Sequence, residues 1–89
     1  MATKSIRAVR LPSGGSLLIT LIAQAVPLAE GVGIMNDRGR MIGWIAIPGP
    51  HDENRGAKFE MVLDIFNELI NAPRNATQPN WDFLGTEAP

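Results

Sequence analysis

The sequence predicts an α+β fold in which two β-hairpins form a small antiparallel sheet, one C-terminal amphipathic helix packs on one face of it, and an extended C-terminal tail follows. Two apolar runs, residues 17–23 and 40–47, are rich in β-branched side chains. Turn-forming residues precede each run. Beyond residue 52, apolar side chains repeat with the period of a helix. The 89 residues are expected to form one domain over 1–89, with a sheet region over about 4–47, a helix over about 53–72 and a tail over 73–89.

The first hairpin is predicted from residues 4–25. Residues 4–11 mix apolar side chains with Lys and Arg and stop at Pro12, which is typical of an edge strand. The SGGS segment that follows has the composition of a turn, because glycine adopts positive φ without steric cost. Residues 17–25 are expected to be the second strand, with a helix as the alternative. Pro27 cannot donate to a sheet ladder, so the chain around it is expected to be a connection or one short helical turn.

The second hairpin is predicted around Asn36-Asp37-Arg38-Gly39, which lies between two apolar runs. Its strands are expected to span roughly 31–36 and 40–47. Alternate positions of the second strand are apolar on both faces, as in residues 17–23. We therefore expect both segments to be interior strands that are covered on both sides.

The helix is the clearest element of the sequence. The PGP segment at 48–50 ends the sheet region, and Asp52 or Asn54 is suited to accept hydrogen bonds from the first helical turn. Asn71 and Pro73 mark the end of the helix. The residues that form its apolar stripe are Phe59, Val62, Leu63, Phe66, Leu69 and Ile70, with Met61 and Ile65 on one flank.

Composition and charge exclude several classes of function. The chain has no cysteine, which rules out disulfides, thiol catalysis and cysteine-ligated metals. Eight Lys and Arg are scattered among nine Asp and Glu, whereas a nucleic-acid-binding domain concentrates a basic excess on one face. The N-terminus lacks the apolar segment of a signal peptide, and residues 17–28 reach about half the ~20 residues of a membrane helix. We expect a cytoplasmic protein with no membrane contact and no cofactor, and the charges argue against a nucleic-acid partner.

The predicted sheet has more apolar surface than one helix can cover. Four strands make a sheet roughly 15–20 Å wide, and a helix with its side chains is only ~10 Å across. We expect the uncovered face to be buried between two copies of the chain, because symmetric dimers are the commonest oligomers. The alternatives are the molecule's own C-terminal tail and a ligand. The residues expected at the interface are Trp44, Ile42, Leu18 and Ile22, with Trp81 and Phe83 from the tail.

No catalytic or metal-binding constellation is recognisable. Glu60, Asp64 and Glu68 form a carboxylate row on the helix, which we interpret as a solvated face because a cation site needs ligands from several elements. His51 is the only histidine, and no nucleophile is tied to it by spacing. We therefore expect no enzymatic activity.

The arginines near the predicted turns are candidates for binding an anion. Arg38 and Arg40 flank Gly39 at a hairpin tip, and arginine beside exposed backbone N–H groups is a workable phosphate receptor. Arg7 and Arg10 lie on the predicted edge strand. Trp44 would be available to stack on a nucleotide base.

The function predicted from these features is that of a small non-enzymatic binding protein, homodimeric, which occupies a surface of another macromolecule. It would act as an inhibitor or adaptor, and phage-encoded inhibitors are one class with such properties. One alternative is a module that sequesters a small anionic molecule or nucleotide through the arginines. The other is a structural subunit of a larger assembly.

Overall fold

The computed structural model describes residues 5–49 and 53–84 and has the α+β architecture that the sequence predicts. The described strands form two antiparallel sheets, one of two strands and one of three, rather than one continuous sheet. One long helix packs against the larger sheet. The elements are β1 (Ala8–Arg10), β2 (Ser16–Leu18), β3 (Gln24–Leu28), β4 (Gly31–Met35), β5 (Met41–Ala46) and α1 (Glu53–Asn71), with short 3-10 turns at Ile19–Leu21, Pro73–Asn75 and Asp82–Leu84.

The first hairpin forms where the sequence predicts it, but its second strand is short. β1 pairs with β2 with Val9 opposite Leu17, and Gly14 in the turn has a φ of 103°. The prediction of one strand over 17–25 is wrong, because β2 ends at Leu18 and a 3-10 turn follows. Ile19 and Ile22 are both buried. Residues three apart lie on the same side of a 3-10 helix but on opposite faces of a strand, so the turn brings both into one core.

The prediction that the chain around Pro27 is a connection is also wrong. Pro27 lies in β3, opposite Val32 of β4. β3 is an edge strand, since the larger sheet has the order β3-β4-β5. A proline is tolerated on an edge strand where its missing N–H would face away from the sheet.

The second hairpin is confirmed, with β4 and β5 in the predicted places. The Asn36 side-chain oxygen accepts hydrogen bonds from the backbone N–H groups of Arg38 and Arg40, both at 2.9 Å. The expectation that β5 is an interior strand is wrong. The central strand is the glycine-containing β4, and β5 lies at the edge. The sequence does not indicate this strand order, because the glycines leave the central strand β4 with few large side chains.

The helix is confirmed over Glu53–Asn71, and its apolar stripe faces the sheet. His51 and Asp52 lie outside the described residues. Asn54 is exposed. The core contains three helix residues and three from the larger sheet, among others: Val62, Phe66, Leu69, Val32, Ile34 and Ile45.

The C-terminal tail packs on the same molecule. The Ile6 N–H donates to the Ala76 carbonyl at 2.9 Å. The Gln78 side-chain amide accepts from the Arg10 N–H at 2.8 Å and donates to the Arg10 carbonyl at 2.9 Å, as a neighbouring strand would. The Trp81 ring stacks on Phe66, with centroids 6.1 Å apart. The tail therefore covers part of the helix and the outer edge of β1.

Candidate interaction surface

The three-stranded sheet has two very different faces. Val32, Ile34 and Ile45 point to the face that α1 covers, and each is fully buried. The register places Val26, Gly33 and Trp44 in one row across the three strands, and this row points the opposite way. Five large apolar side chains project from that second face, which we call the bare face: Val26, Leu28, Met35, Met41 and Trp44.

Gly33 forms the floor of the bare face. A Cβ at this position would lie 2.9 Å from the Met41 methyl carbon, 3.3 Å from Leu28 Cδ1 and 3.9 Å from the Met35 sulfur. Side chains from all three strands therefore converge over this glycine. Gly31 has the same role for Trp44, whose ring would lie 2.9 Å from an added Cβ. The glycines leave room above β4 for the larger side chains of the neighbouring strands.

The bare face is separate from the core of the molecule. Among the described residues, the ten partly buried hydrophobic side chains that pack against the core include none of its five members. Leu28 is 43% exposed and Met41 is 45% exposed, whereas Val26, Met35 and Trp44 are half-buried. Its apolar atoms therefore contact each other and solvent, and they add little to the packing that holds the helix.

The bare face is small, and its side chains are apolar except for Gln24 at one end of β3. Three strands at ~4.8 Å spacing and about five residues at ~3.3 Å rise give roughly 14 by 17 Å, or about 240 Å² in projection. Contiguous apolar patches of a few hundred Å² on small proteins are often functional. The methionines also suit a contact surface, because their flexible, polarisable side chains adapt to different partners.

The structure does not gather the other predicted interface residues on the bare face. Ile22 is buried in the core. Ile42 is the unpaired residue of the β-bulge in β5, and it packs against that core. Leu18 is 51% exposed but belongs to the other sheet. Trp81 and Phe83 pack against each other and against the core. Of the predicted residues, only Trp44 lies on the bare face.

The four arginines of the anion-binding hypothesis are exposed but not assembled into one site. Arg38 and Arg40 line a cavity of about 620 Å³ together with Asp37, whose carboxylate opposes an anion. Arg7 and Arg10 do not line it. Trp44 lines a different cavity, near the other end of β5. No single described cavity therefore offers both arginines and a stacking ring.

Arg55 is a buried charge that the sequence does not predict. Arg55, in the first turns of α1, is 9% exposed, and its Nη2 donates to the Ala29 carbonyl at 2.9 Å. Its guanidinium lies 5.0 Å from the centre of the Phe59 ring and 4.0 Å from the carboxylate of the exposed Glu30. Ala29 and Glu30 form the β3–β4 turn. Arg55 therefore fixes this turn to the helix, and no pattern around it in the sequence indicates that contact.

The helix carboxylates behave as a solvated face. Glu60, Asp64 and Glu68 are exposed, and within residues 5–49 and 53–84 no group of His, Cys, Asp or Glu could hold a metal ion. In the same part of the chain, no helix is long and apolar enough to span a membrane. No protein-family model matches the chain, and the searches of curated proteins and of solved structures returned no match.

Proposed function

We propose that the protein is a non-enzymatic, homodimeric binding protein that uses the bare face to occupy an apolar surface of another macromolecule. The observation that supports this is the bare face itself. It presents five large apolar side chains over a glycine floor, and its partly buried members, Val26, Met35 and Trp44, are not among those that pack against the described core. Burying Leu28 and Met41 alone would contribute ~1.5–3 kcal/mol for each fully buried side chain. An inhibitor or an adaptor acts in this way, by covering a surface rather than by catalysing a reaction.

The shape of the bare face favours a protein as the partner. It is a flat surface of sheet, whereas small-molecule sites are concave and bury most of their ligand. Its centre has no charged side chain, and the cores of protein–protein interfaces are likewise depleted in charge and enriched in Trp and Met. The anion-binding alternative has weaker support, because its arginines are dispersed and Asp37 shares their cavity.

Two matched pairs of variants test the proposal. Leu28→Glu and Met41→Glu place a charge on the bare face. Leu18→Glu and Met61→Glu place the same charge on side chains that are 51% and 46% exposed but lie elsewhere. Affinity capture from native lysate with quantitative mass spectrometry should identify a protein that binds the wild type and both controls. The two bare-face variants should lose it.

A stoichiometric complex rebuilt from the purified components, followed by native mass spectrometry, completes the test. Loss of the complex with Leu28→Glu and Met41→Glu, in variants whose circular dichroism matches the wild type, supports the proposal. Equal capture by all four variants would show that the bare face does not contact the partner.

A further inference from the structure

The outer edge of β5 carries backbone groups that point away from the sheet. The Ile47 N–H donates to the Glu30 carbonyl at 3.1 Å, which continues the β4–β5 ladder. Hydrogen-bonding direction alternates along an antiparallel strand, so Ile45 and Ile47 face β4. Trp44 and Ala46 therefore turn their N–H and C=O groups outward. Within the described part of the chain, no backbone hydrogen bond reaches these outward groups.

The outer edges of β1 and β3 are protected, whereas that of β5 is not. The outer edge of β1 is covered by the tail through the backbone of Ile6 and Arg10. β3 contains Pro27, which cannot donate to a new strand. β5 has the sequence MIGWIA, without a charged residue or a proline. Natural proteins place such residues on edge strands to prevent pairing, so their absence from β5 marks an edge that is suited to pairing.

A groove runs beside this edge. Its volume is about 600 Å³, and the residues that line it include Gly43, from the face under α1, and Trp44, from the bare face. A groove that touches both faces lies along the edge of the strand rather than on either surface. The turn at Leu11 and Pro12 forms its other wall. The edge is therefore accessible from the side.

We propose that two copies of the chain pair antiparallel through β5, with Trp44 opposite its own counterpart on the two-fold axis. In this register each Trp44 exchanges two backbone hydrogen bonds with the other, and Ile45 lies opposite Gly43 of the second copy, with both on the face under α1. A shift by one residue would place Gly43 opposite Trp44. Gly43 belongs to the face under α1 and Trp44 to the bare face, so the alternation of side chains excludes that register. The result is a continuous six-stranded sheet with both bare faces on the same side.

The area of the bare face favours a second copy as the occupant of this edge. One bare face of about 240 Å² is far below the ~800 Å² that each partner buries in a standard interface. Pairing through β5 joins two bare faces into one surface of about 480 Å² in projection, which is closer to that size. Because β5 carries no charge, the two copies do not repel each other at the contact. The inference rests on the homodimer of the proposed function and specifies which strand forms it.

Ala46→Pro tests the pairing directly. The substitution removes an outward N–H and leaves the bonds from Ile45 and Ile47 to β4 in place, so the protomer should fold. Ala46→Ser keeps the N–H and is the matched control. Sedimentation equilibrium should show that the dimer dissociation constant rises by at least about tenfold in Ala46→Pro and changes little in Ala46→Ser. An unchanged constant in Ala46→Pro, or a wild-type chain that is monomeric at high micromolar concentration, would overturn the proposal.

Hydrogen exchange on the wild type decides the matter if Ala46→Pro does not fold. The amides of Trp44 and Ala46 should exchange at least about tenfold more slowly near ~1 mM protein than near ~10 μM. The amides of the buried residues Val32 and Ile34 serve as the reference. A dimer that leaves the Trp44 and Ala46 amides unprotected would overturn pairing through β5.

Leu28→Glu separates this proposal from the proposed function. Leu28 lies on β3, at the edge of the sheet opposite β5. The variant should therefore remain a dimer and lose only the captured partner. Partner capture that survives Leu28→Glu contradicts the binding surface, whereas a dimer that survives Ala46→Pro contradicts only the β5 pairing.

Discussion

Phe66 links the helix to both the sheet and the tail. It is fully buried in the core with Ile34 and Ile45, and its ring stacks on Trp81. Removal of the ring in Phe66→Ala would lose the transfer free energy of the side chain and leave a cavity. We expect a loss of about 3–5 kcal/mol in the free energy of unfolding, measured by urea denaturation.

Asp64→Ala is the control for this prediction. Asp64 is exposed on the opposite side of α1. The substitution should therefore change the free energy of unfolding of the protein by less than about 0.5 kcal/mol. Equal losses at the two positions would mean that the helix presents a different face to the sheet.

Arg55 and Gln78 show which residue-level contacts a sequence cannot reveal. The Arg55 guanidinium bonds to the carbonyl of Ala29, 26 residues earlier, and the Gln78 amide bonds to Arg10, 68 residues earlier. Both partners are backbone groups, which every residue carries. Neither side chain has a local pattern that identifies its partner, so both contacts depend on tertiary structure.

Gly56 in α1 and Gly31 in β4 differ in the space around an added methyl group, so their replacement by alanine should have opposite effects on stability. Gly56 lies in α1 and is exposed, and no described atom outside its own turn lies within 4 Å of an added Cβ. Glycine in a helix costs about 0.5–1 kcal/mol relative to alanine. Gly56→Ala should therefore stabilise the protein by roughly that amount and raise the Tm by roughly 3–6 °C.

Gly31→Ala should have the opposite effect. An added Cβ in β4 would overlap the carbonyl oxygen of Ile45 and lie 2.9 Å from the Trp44 ring. Neighbouring backbone cannot move aside as a flexible side chain can, so we expect a loss of about 1–3 kcal/mol by thermal or urea unfolding. A Gly31→Ala variant as stable as the wild type would contradict the close packing of Trp44 over β4.

The elements were predictable where a local signal decides them. The helical period of α1 and the turn chemistry around Asn36 predicted both elements almost to the residue. The segment 17–25 was not predictable, because an apolar β-branched run fits a strand and a buried 3-10 turn equally well. Burial of both Ile19 and Ile22 in one core decides between them, and that is a tertiary effect. The same limit explains Pro27, since only the strand order shows that β3 lies at an edge.

At the scale of the whole molecule, one face of the predicted sheet was expected to be left bare by the helix, and the three-stranded sheet has such a face. A comparison of the width of one helix with the width of the sheet predicts this face, because helix width and strand spacing are fixed. The residues that form it were mostly not predicted. Glycines at positions 31 and 33 determine which side chains converge, and Leu28, Met35 and Met41 come from three different strands. The tail, which was the alternative cover, packs on the helix and β1 instead.

Trp44 connects the bare face with the β5 edge, so its replacement should affect the assembly as a whole. Trp44→Glu places a carboxylate at the centre of the proposed dimer, where two copies of the charge would face each other without partners. Like charges directly opposite each other on neighbouring strands are destabilising. The Tm of the wild type should rise with protein concentration, as expected for a dimer. Trp44→Glu should be monomeric by sedimentation equilibrium and lose this concentration dependence. Trp44→Phe, which keeps an apolar ring, should remain dimeric. A wild-type Tm that is independent of concentration, together with normal folding of Trp44→Glu, would contradict the homodimer.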